Sequence, residues 1–159
     1  MSDRSFRLFL LLAPAVFVAH FLEEAPGFVG WFNDHVTSSI TAGLFWQVNI
    51  TALVITVAIV ALNLFQASAL ALTVGVAWFS FLMGANALFH VVGGLADRSY
   101  VPGLITACVL YVPYYSWFMW RVLRSRRVPA LVVAVAALLG ALPMMVHGYR
   151  IVFLGTRLF

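Results

Sequence analysis

The sequence predicts an all-α integral membrane protein, a bundle of five transmembrane helices with almost no water-soluble part. The first observation is composition, since 64% of the 159 residues are hydrophobic and only 9% are charged. A soluble domain of this length needs a polar surface in which about a quarter of all residues are charged. The second is the presence of five apolar stretches, each close to or longer than the ~20 residues that a helix needs to cross a bilayer. The third is the shortness of most of the turns between them.

The five apolar stretches form a single predicted transmembrane domain. Its spans are expected at residues 6–24, 40–64, 67–95, 100–122 and 128–153. Short turns make sequential helices antiparallel neighbours. Only the first connection is long, and there Pro26, Gly27 and Gly30 interrupt the helical pattern while Phe28 and Trp31 suit a membrane interface.

The placement of arginine predicts the orientation of the bundle. The chain has nine Arg and no Lys. Six of the nine fall on one side of the predicted membrane, namely Arg4, Arg7, Arg121, Arg124, Arg126 and Arg127. Cytoplasmic loops are the ones enriched in basic residues. The sequence therefore predicts an N-terminus inside and a C-terminus outside, and the expected location is the bacterial plasma membrane.

Charge and cysteine usage exclude several classes of function. The net charge of +4 is explained by the topology, and no basic patch is interleaved with aromatic residues, so nucleic acid is not an expected partner. The single cysteine, Cys108, lies within an apolar stretch. One cysteine excludes both an intrachain disulfide and a cysteine-rich metal site.

Ionisable residues inside the spans are the main functional signal, because they are costly in a bilayer and usually face the interior of the bundle. His20, Glu23 and Glu24 end the first span and fall within an arc of ~100° on one helical face. In the third span, Asn86 and His90 are four residues apart and share a face. Each of these two helices can therefore direct polar groups to one neighbour.

Further polar residues lie at the same predicted depth. His90 is about 7 Å from the outer end of its span and His147 about 9 Å from the outer end of the fifth, where Arg150 follows three residues later. Gln47 and Asn49 lie within about 14 Å of the outer end of the second span. These residues predict one polar layer in the outer leaflet, shared by several helices.

Three imidazoles and two carboxylates at one level predict a metal site. The candidate ligands are His20, Glu23, Glu24, His90 and His147. Histidine and glutamate without cysteine suit divalent zinc or non-haem iron, whereas Mg²⁺ and Ca²⁺ prefer more oxygen ligands. One of the two glutamates would bind the metal, and the other would act as the catalytic general base on water. The residues expected to orient ligands or substrate are Asn86, Arg150, Gln47 and Asn49.

The string His20-Phe21-Leu22-Glu23-Glu24, at the outer end of a first span, resembles the motif of the HXXEE family of membrane proteins. The likeness in size and hydropathy extends over essentially the whole chain. That family has no assigned function, so the resemblance implies importance for His20, Glu23 and Glu24 but supplies no reaction. The choice of His90, Asn86 and His147 as candidates rests on their depth and helical facing alone.

These residues favour a membrane metalloenzyme that acts on an apolar or lipid-like small molecule reached from the membrane lipids. With zinc the protein would be a hydrolase, and with two irons it would be an oxidase. The sequence leaves open whether the protein is an enzyme at all. One alternative is a proton-coupled carrier that uses Glu23, Glu24 and Arg150 as an ion network. Another is an accessory subunit of an oligomer or larger complex. Haem ligation by His90 and His147 would leave the paired carboxylates unexplained.

Overall fold

The computed structural model describes residues 3–66 and 68–158, and the secondary structure of these residues is entirely helical. Seven helices follow one another along the chain. They are α1 (Asp3–Leu10), α2 (Ala13–Glu24), α3 (Phe28–His35), α4 (Ala42–Gln66), α5 (Ala69–Asp97), α6 (residues 104–125) and α7 (Ala130–Leu154).

Four helical segments in the described part of the chain are long and apolar enough to cross a membrane. They are Ser5–Glu24, which combines α1 and α2, then α4, α5 and α7. These segments indicate an integral membrane protein, since a helix satisfies its own backbone hydrogen bonds in lipid. Helix α6 has sufficient length, but tyrosines, tryptophans and Arg121 make it less apolar than the other four. The fifth span and the orientation of the bundle stay predictions.

Two local features differ from the helical pattern read from the sequence. The first predicted span is interrupted at Leu11 and Leu12, just before Pro14, whose ring restricts the residue before it and removes a backbone donor. The segment predicted as an irregular connection contains α3, which begins at Phe28. The other helices begin two to four residues later than predicted, and Ala67, the predicted start of the third span, lies outside the described residues.

Helix α5 is the central helix of the bundle. Over half of its apolar stretch is buried, against less than a third in each of the other three candidate spans. It packs against α4, α6 and α7. Aromatic side chains fill the core around it, with Phe79, Tyr111 and Phe118 fully enclosed. A site on α5 therefore has protein on most of its sides.

Both α5 and α6 contain a π-helical turn close to the polar residues of the bundle. In α5 it covers Ser80–Ala85 and precedes Asn86, and in α6 it covers Ala107–Tyr111. The Ser80 hydroxyl donates to the carbonyl of Val76 at 2.7 Å inside the first of them. A π-helical turn holds an additional residue and so rotates the face that the following residues present. These turns determine which way His90 and Tyr111 point.

The outside of the bundle is apolar along several helices. Large exposed hydrophobic side chains include Leu12, Val54, Phe65, Leu138 and Leu139. Contiguous apolar surface of this kind is unusual on soluble monomers and is expected where helices face lipid. The polar residues considered below lie between these helices.

Candidate metal site

Three of the residues singled out in the sequence meet between α2 and α5. His20 and Glu24 are one turn apart on α2, and His90 reaches them from α5. Each offers one ligand atom, and these atoms all lie within 4.8 Å of one another. The side chains are almost fully enclosed, with 1%, 5% and 0% of His20, Glu24 and His90 exposed. The arrangement could hold a metal ion, and we call it the His–Glu–His group.

A hydrogen bond to α6 determines how His20 presents its ring. Its Nδ1 lies 2.9 Å from Oγ1 of Thr106, and the Thr106 hydroxyl donates to the carbonyl of Gly103 at 3.3 Å. Because that hydroxyl proton is committed to Gly103, Nδ1 of His20 is assigned as the donor to Thr106. A neutral imidazole protonated at Nδ1 carries a free lone pair on Nε2, which faces Glu24. This is how a histidine is oriented for metal binding.

The two separations from Glu24 to the imidazoles match those between neighbouring ligands of one metal ion. Oε1 of Glu24 lies 3.5 Å from Nε2 of His20 and 3.2 Å from Nε2 of His90. Neither Nε2 atom makes a hydrogen bond to any described residue, although both are buried. Tetrahedral ligands with bonds of about 2.0–2.2 Å lie about 3.3–3.6 Å from each other. A cation between the three atoms would accept the lone pair of His20 and the carboxylate of Glu24, with His90 as a third ligand.

Gly103 closes one side of the group. Its φ of +98° is one that other residues rarely adopt, and a Cβ there would lie 2.7 Å from Cε1 of His90 and 2.9 Å from Cγ of Glu24. It would also lie 3.0 Å from Cε1 of His20. The backbone at Gly103 thus packs directly against all three side chains, and only glycine leaves them their positions.

Aromatic rings enclose the imidazoles. The ring of Tyr111, from the π-helical turn of α6, lies 4.1 Å from that of His20 between centroids. Phe28 from α3 lies 6.2 Å from His90, and the two imidazoles are 5.0 Å apart in an edge-to-face arrangement. The group is therefore in an environment of low polarity, where a charge interacts strongly with its neighbours.

Glu23 has a different environment from its neighbour Glu24. Its carboxylate accepts from the hydroxyl of Tyr100 at 2.5 Å and from the backbone N–H groups of Ile105 and Thr106 at 3.0 and 2.7 Å. These amides belong to the first turn of α6, where backbone donors have no partner within the helix. Glu23, on α2, thus caps the start of α6 and positions Thr106. The structure brings Glu24, and not Glu23, into the His–Glu–His group.

His147 lies outside the three-residue group but lines the same cavity as His20 and Glu24. Its Nδ1 accepts from the backbone N–H of Leu158 at 3.2 Å, because the residues after α7 fold back along the helix. Its ring lies 6.3 Å from that of Phe32. The described structure therefore brings two of the three predicted imidazoles to Glu24 and keeps the third at another part of the cavity wall.

The remaining candidates are dispersed. Asn86 and Asn49 line the cavity, and Asn49 donates to the carbonyl of Phe45 at 3.0 Å. Gln47 is exposed on the outer face of α4. Arg150 donates from Nε to the hydroxyl of Thr156 at 3.2 Å, and so holds the end of α7.

Thr106, Gly103 and Tyr111 belong to the site but were not selected from the sequence. In the sequence, Tyr100 and Thr106 are polar residues at the level of the predicted site with no further distinguishing feature, and Gly103 follows Pro102 in what reads as an ordinary turn. A signal existed in that Pro-Gly pair, since glycine at a turn often indicates a positive φ. Nothing in the helical periodicity indicates that this turn packs on His20 and His90.

The comparisons with known proteins give one result. A family described as "Protein of unknown function with HXXEE motif" matches residues 11–118, more than half of the chain. No curated protein and no solved structure matches this chain. The matched region contains the whole His–Glu–His group together with Gly103 and Thr106, and ends before His147. The chain, with His20, Glu23 and Glu24 at the end of α2, belongs to the HXXEE family.

Proposed function

We propose that this protein is a membrane metalloenzyme in which His20, Glu24 and His90 bind one zinc ion and which hydrolyses a lipid-like substrate. One observation carries the proposal. Two buried Nε2 atoms without hydrogen-bond partners face one carboxylate oxygen at 3.2 and 3.5 Å. Buried polar groups are otherwise almost always paired, and unpaired ones reduce stability by roughly 1–3 kcal/mol each.

A metal explains this arrangement better than hydrogen bonds within the group do. A protonated imidazole would direct an N–H at Glu24 in line, yet neither contact has hydrogen-bond geometry. Two cationic imidazoles would also repel each other in an apolar environment. A divalent ion neutralises the carboxylate and uses both lone pairs at once, as the Nδ1-protonated form of His20 requires.

The number and type of ligands support zinc and hydrolysis. Two histidines and one glutamate, with a fourth position left open, form a common catalytic zinc site, where the bound ion lowers the pKa of water and polarises a substrate carbonyl. Non-haem iron also uses two histidines and one carboxylate, and would support oxidation. The separations of 3.2 and 3.5 Å are close to those of tetrahedral neighbours, and we therefore propose zinc.

The chain's own residues hold this site in place. Thr106 fixes the ring of His20, Gly103 allows the close approach of the turn before α6, and Glu23 anchors α6 to α2. Ligands held on packed helices keep their geometry better than ligands on loops. His20 and Glu24 also line a cavity, through which a substrate would reach the site.

The two adjacent glutamates allow a direct test. Elemental analysis of protein purified in mild detergent should find about one zinc per chain. Glu24→Gln should lower that content at least about tenfold, because three-ligand sites do not tolerate the loss of one. Glu23→Gln, one residue away, should lower the metal content less than Glu24→Gln does, because it loosens the cap on α6 and removes no ligand. Iron in place of zinc would move the reaction to oxidation, and wild-type protein without metal would end the proposal.

The proposal includes the predicted topology, with α6 as a fifth span and the metal site in the outer leaflet. It is supported by the Arg-rich end of α6, where Arg121, Arg124, Arg126 and Arg127 lie together. The test is the accessibility of single cysteines at Asp34 and Ser125 in a Cys108→Ala background. Labelling of Asp34→Cys from outside and of Ser125→Cys only after permeabilisation is expected, and the reverse pattern would overturn the orientation.

A further inference from the structure

The His–Glu–His group lies at the wall of a cavity of about 270 Å³, and the cavity indicates what the site binds. We propose that it binds a single-chain lipid with an anionic head, held with the head at Arg157 and the metal site and the chain along the apolar wall. This inference rests on the proposed function, since it names the class of ligand for that site.

The wall of the cavity is almost entirely apolar. Its lining includes Phe17, Phe28, Phe45, Phe81, Phe89 and Ile151. Leu44 and Val48 of α4 line it and are exposed at the outer surface, with 37% and 53% of each side chain accessible. Met144 of α7 also lines it. The cavity thus opens between α4 and α7, on a surface that faces lipid in a bilayer.

The charges at the cavity favour an anion once a metal is present. Among the described residues, Glu24 and Arg157 are the ionised ones that line it. A divalent metal with Glu24 leaves one positive charge, and Arg157 adds another. An apolar cavity holds such charge only when it is compensated, and an anionic head group provides the compensation. His147, also in the lining, is within electrostatic range of Arg157 and Arg150.

A second polar feature indicates a head group rather than a hydrocarbon alone. Asn86 is one of the residues that line the cavity, and its Oδ1 is buried and has no hydrogen-bond partner among the described residues. A ligand donor, or a water that the head group carries, satisfies such an acceptor. Asn86 is one turn before His90 on α5, and so lies beside the metal site.

The size of the cavity limits the ligand to one chain. Sites for whole small molecules occupy about 300–1,000 Å³, so a cavity of about 270 Å³ is at the lower end and is too small for a two-chain phospholipid. A single acyl chain fits because part of it remains in the bilayer, between α4 and α7.

Photolabelling in lipid nanodiscs tests the proposal. The probe is dodecanoate that carries a diazirine in its chain, compared with the matched dodecanol. The dodecanoate probe should label residues of α4 and α7 that line the cavity, and unlabelled dodecanoate or dodecyl phosphate should suppress this labelling. The neutral probe should label those residues about tenfold less, since hydrogen bonds to charged groups are worth at least that factor.

Two pairs of variants assign the contacts. Arg157→Gln should lower cavity labelling by dodecanoate about tenfold and keep its zinc, whereas Arg124→Gln, at the other end of the bundle, should change neither. Ala52→Trp should block the chain, while Ala58→Trp, on the exposed face of α4, should not.

The outcomes separate this inference from the proposed function. Zinc-containing wild-type protein that both probes label equally, or labelling that neither anion suppresses, would overturn the lipid-anion site and leave the metal site intact. Equal labelling of Arg157→Gln and wild type would also overturn it. Wild-type protein without metal would overturn the proposed function and, with it, this inference.

Discussion

Two imidazole–carboxylate pairs in this protein have nearly equal separations and opposite surroundings. Nε2 of His90 lies 3.2 Å from Glu24 inside the bundle, and Nε2 of His35 lies 3.3 Å from Asp97 at its end. The buried pair has 0% and 7% of its side chains exposed, whereas the outer pair has 22% and 33% exposed.

The outer pair has ordinary hydrogen-bond partners around it. Nδ1 of His35 donates to the carbonyl of Trp31 at 2.7 Å, and Asp97 accepts from Nε1 of Trp31 at 3.2 Å and from the hydroxyl of Ser99. In the buried pair, neither nitrogen of His90 has a hydrogen-bond partner among the described residues. Distance alone therefore does not indicate a metal site; the absence of other partners in a buried place makes the inner pair a candidate.

The largest expected effect comes from removing one imidazole of each pair. His90→Ala should lower the metal content at least about tenfold, because it removes one of three ligands. His35→Ala should leave the metal content unchanged and loosen only the contact between α3 and the end of α5, by about 0–1 kcal/mol as for other exposed ion pairs. Elemental analysis and thermal unfolding of both variants measure the difference. Equal metal loss in the two would remove the distinction between the pairs.

A smaller effect is expected from a change at Gly103, whose backbone packs against the buried pair. Gly103→Ala should reduce the free energy of unfolding by about 2–3 kcal/mol and weaken metal binding, because a Cβ at φ +98° would press on His90 and Glu24. The matched change is Gly30→Ala in α3, where a Cβ meets open space and helix propensity should add about 0.5–1 kcal/mol. Unfolding in detergent that shows the same sign for both would contradict the close packing at Gly103.

The contrast also shows which parts of the site are readable from the sequence. His20 and Glu24 are four residues apart on one helix, so their shared face follows from helical geometry alone. His90 follows from its depth in an apolar stretch. The four candidate membrane helices follow from hydropathy, because lipid requires long apolar segments. These features depend on local periodicity, which can be read directly from the sequence.

The rest depends on contacts between distant segments. Gly103 and Thr106 reach His20 from a turn about 80 residues away, and no periodicity encodes that approach. Glu23 is directed to α6 by the first-turn amides of that helix, so two adjacent glutamates have different partners. His147 meets Leu158 because the end of the chain folds back. Helical depth predicted its level in the bundle but not its neighbours.

The hydroxyl of Thr106 offers a finer test, since it touches the buried pair only through His20. Thr106→Val keeps the shape of the side chain and removes the partner of Nδ1, so metal affinity should fall about 10–100-fold while the helices stay folded. Thr73→Val on α5 removes an exposed hydroxyl that donates to Ala69, and should leave the affinity unchanged. Competition with a zinc chelator measures both, and equal affinities would mean that Thr106 does not position His20.

The smallest effect is expected at Arg150, where the metal site and an ion network predict different results. In the structure Arg150 donates to Thr156, and Glu24 faces the two imidazoles, so Arg150→Ala should keep its metal within about twofold and change stability by no more than about 1 kcal/mol. An ion network in which Arg150 compensates Glu23 or Glu24 would instead lose about 3–5 kcal/mol, because one buried charge would be left unpaired. Arg150→Gln, which keeps a donor for Thr156, separates loss of charge from loss of that hydrogen bond. Metal per chain and thermal unfolding, measured on both variants beside His90→Ala, decide the matter: a stable, metal-containing Arg150→Ala supports the metal site, and a strongly destabilised one supports the network.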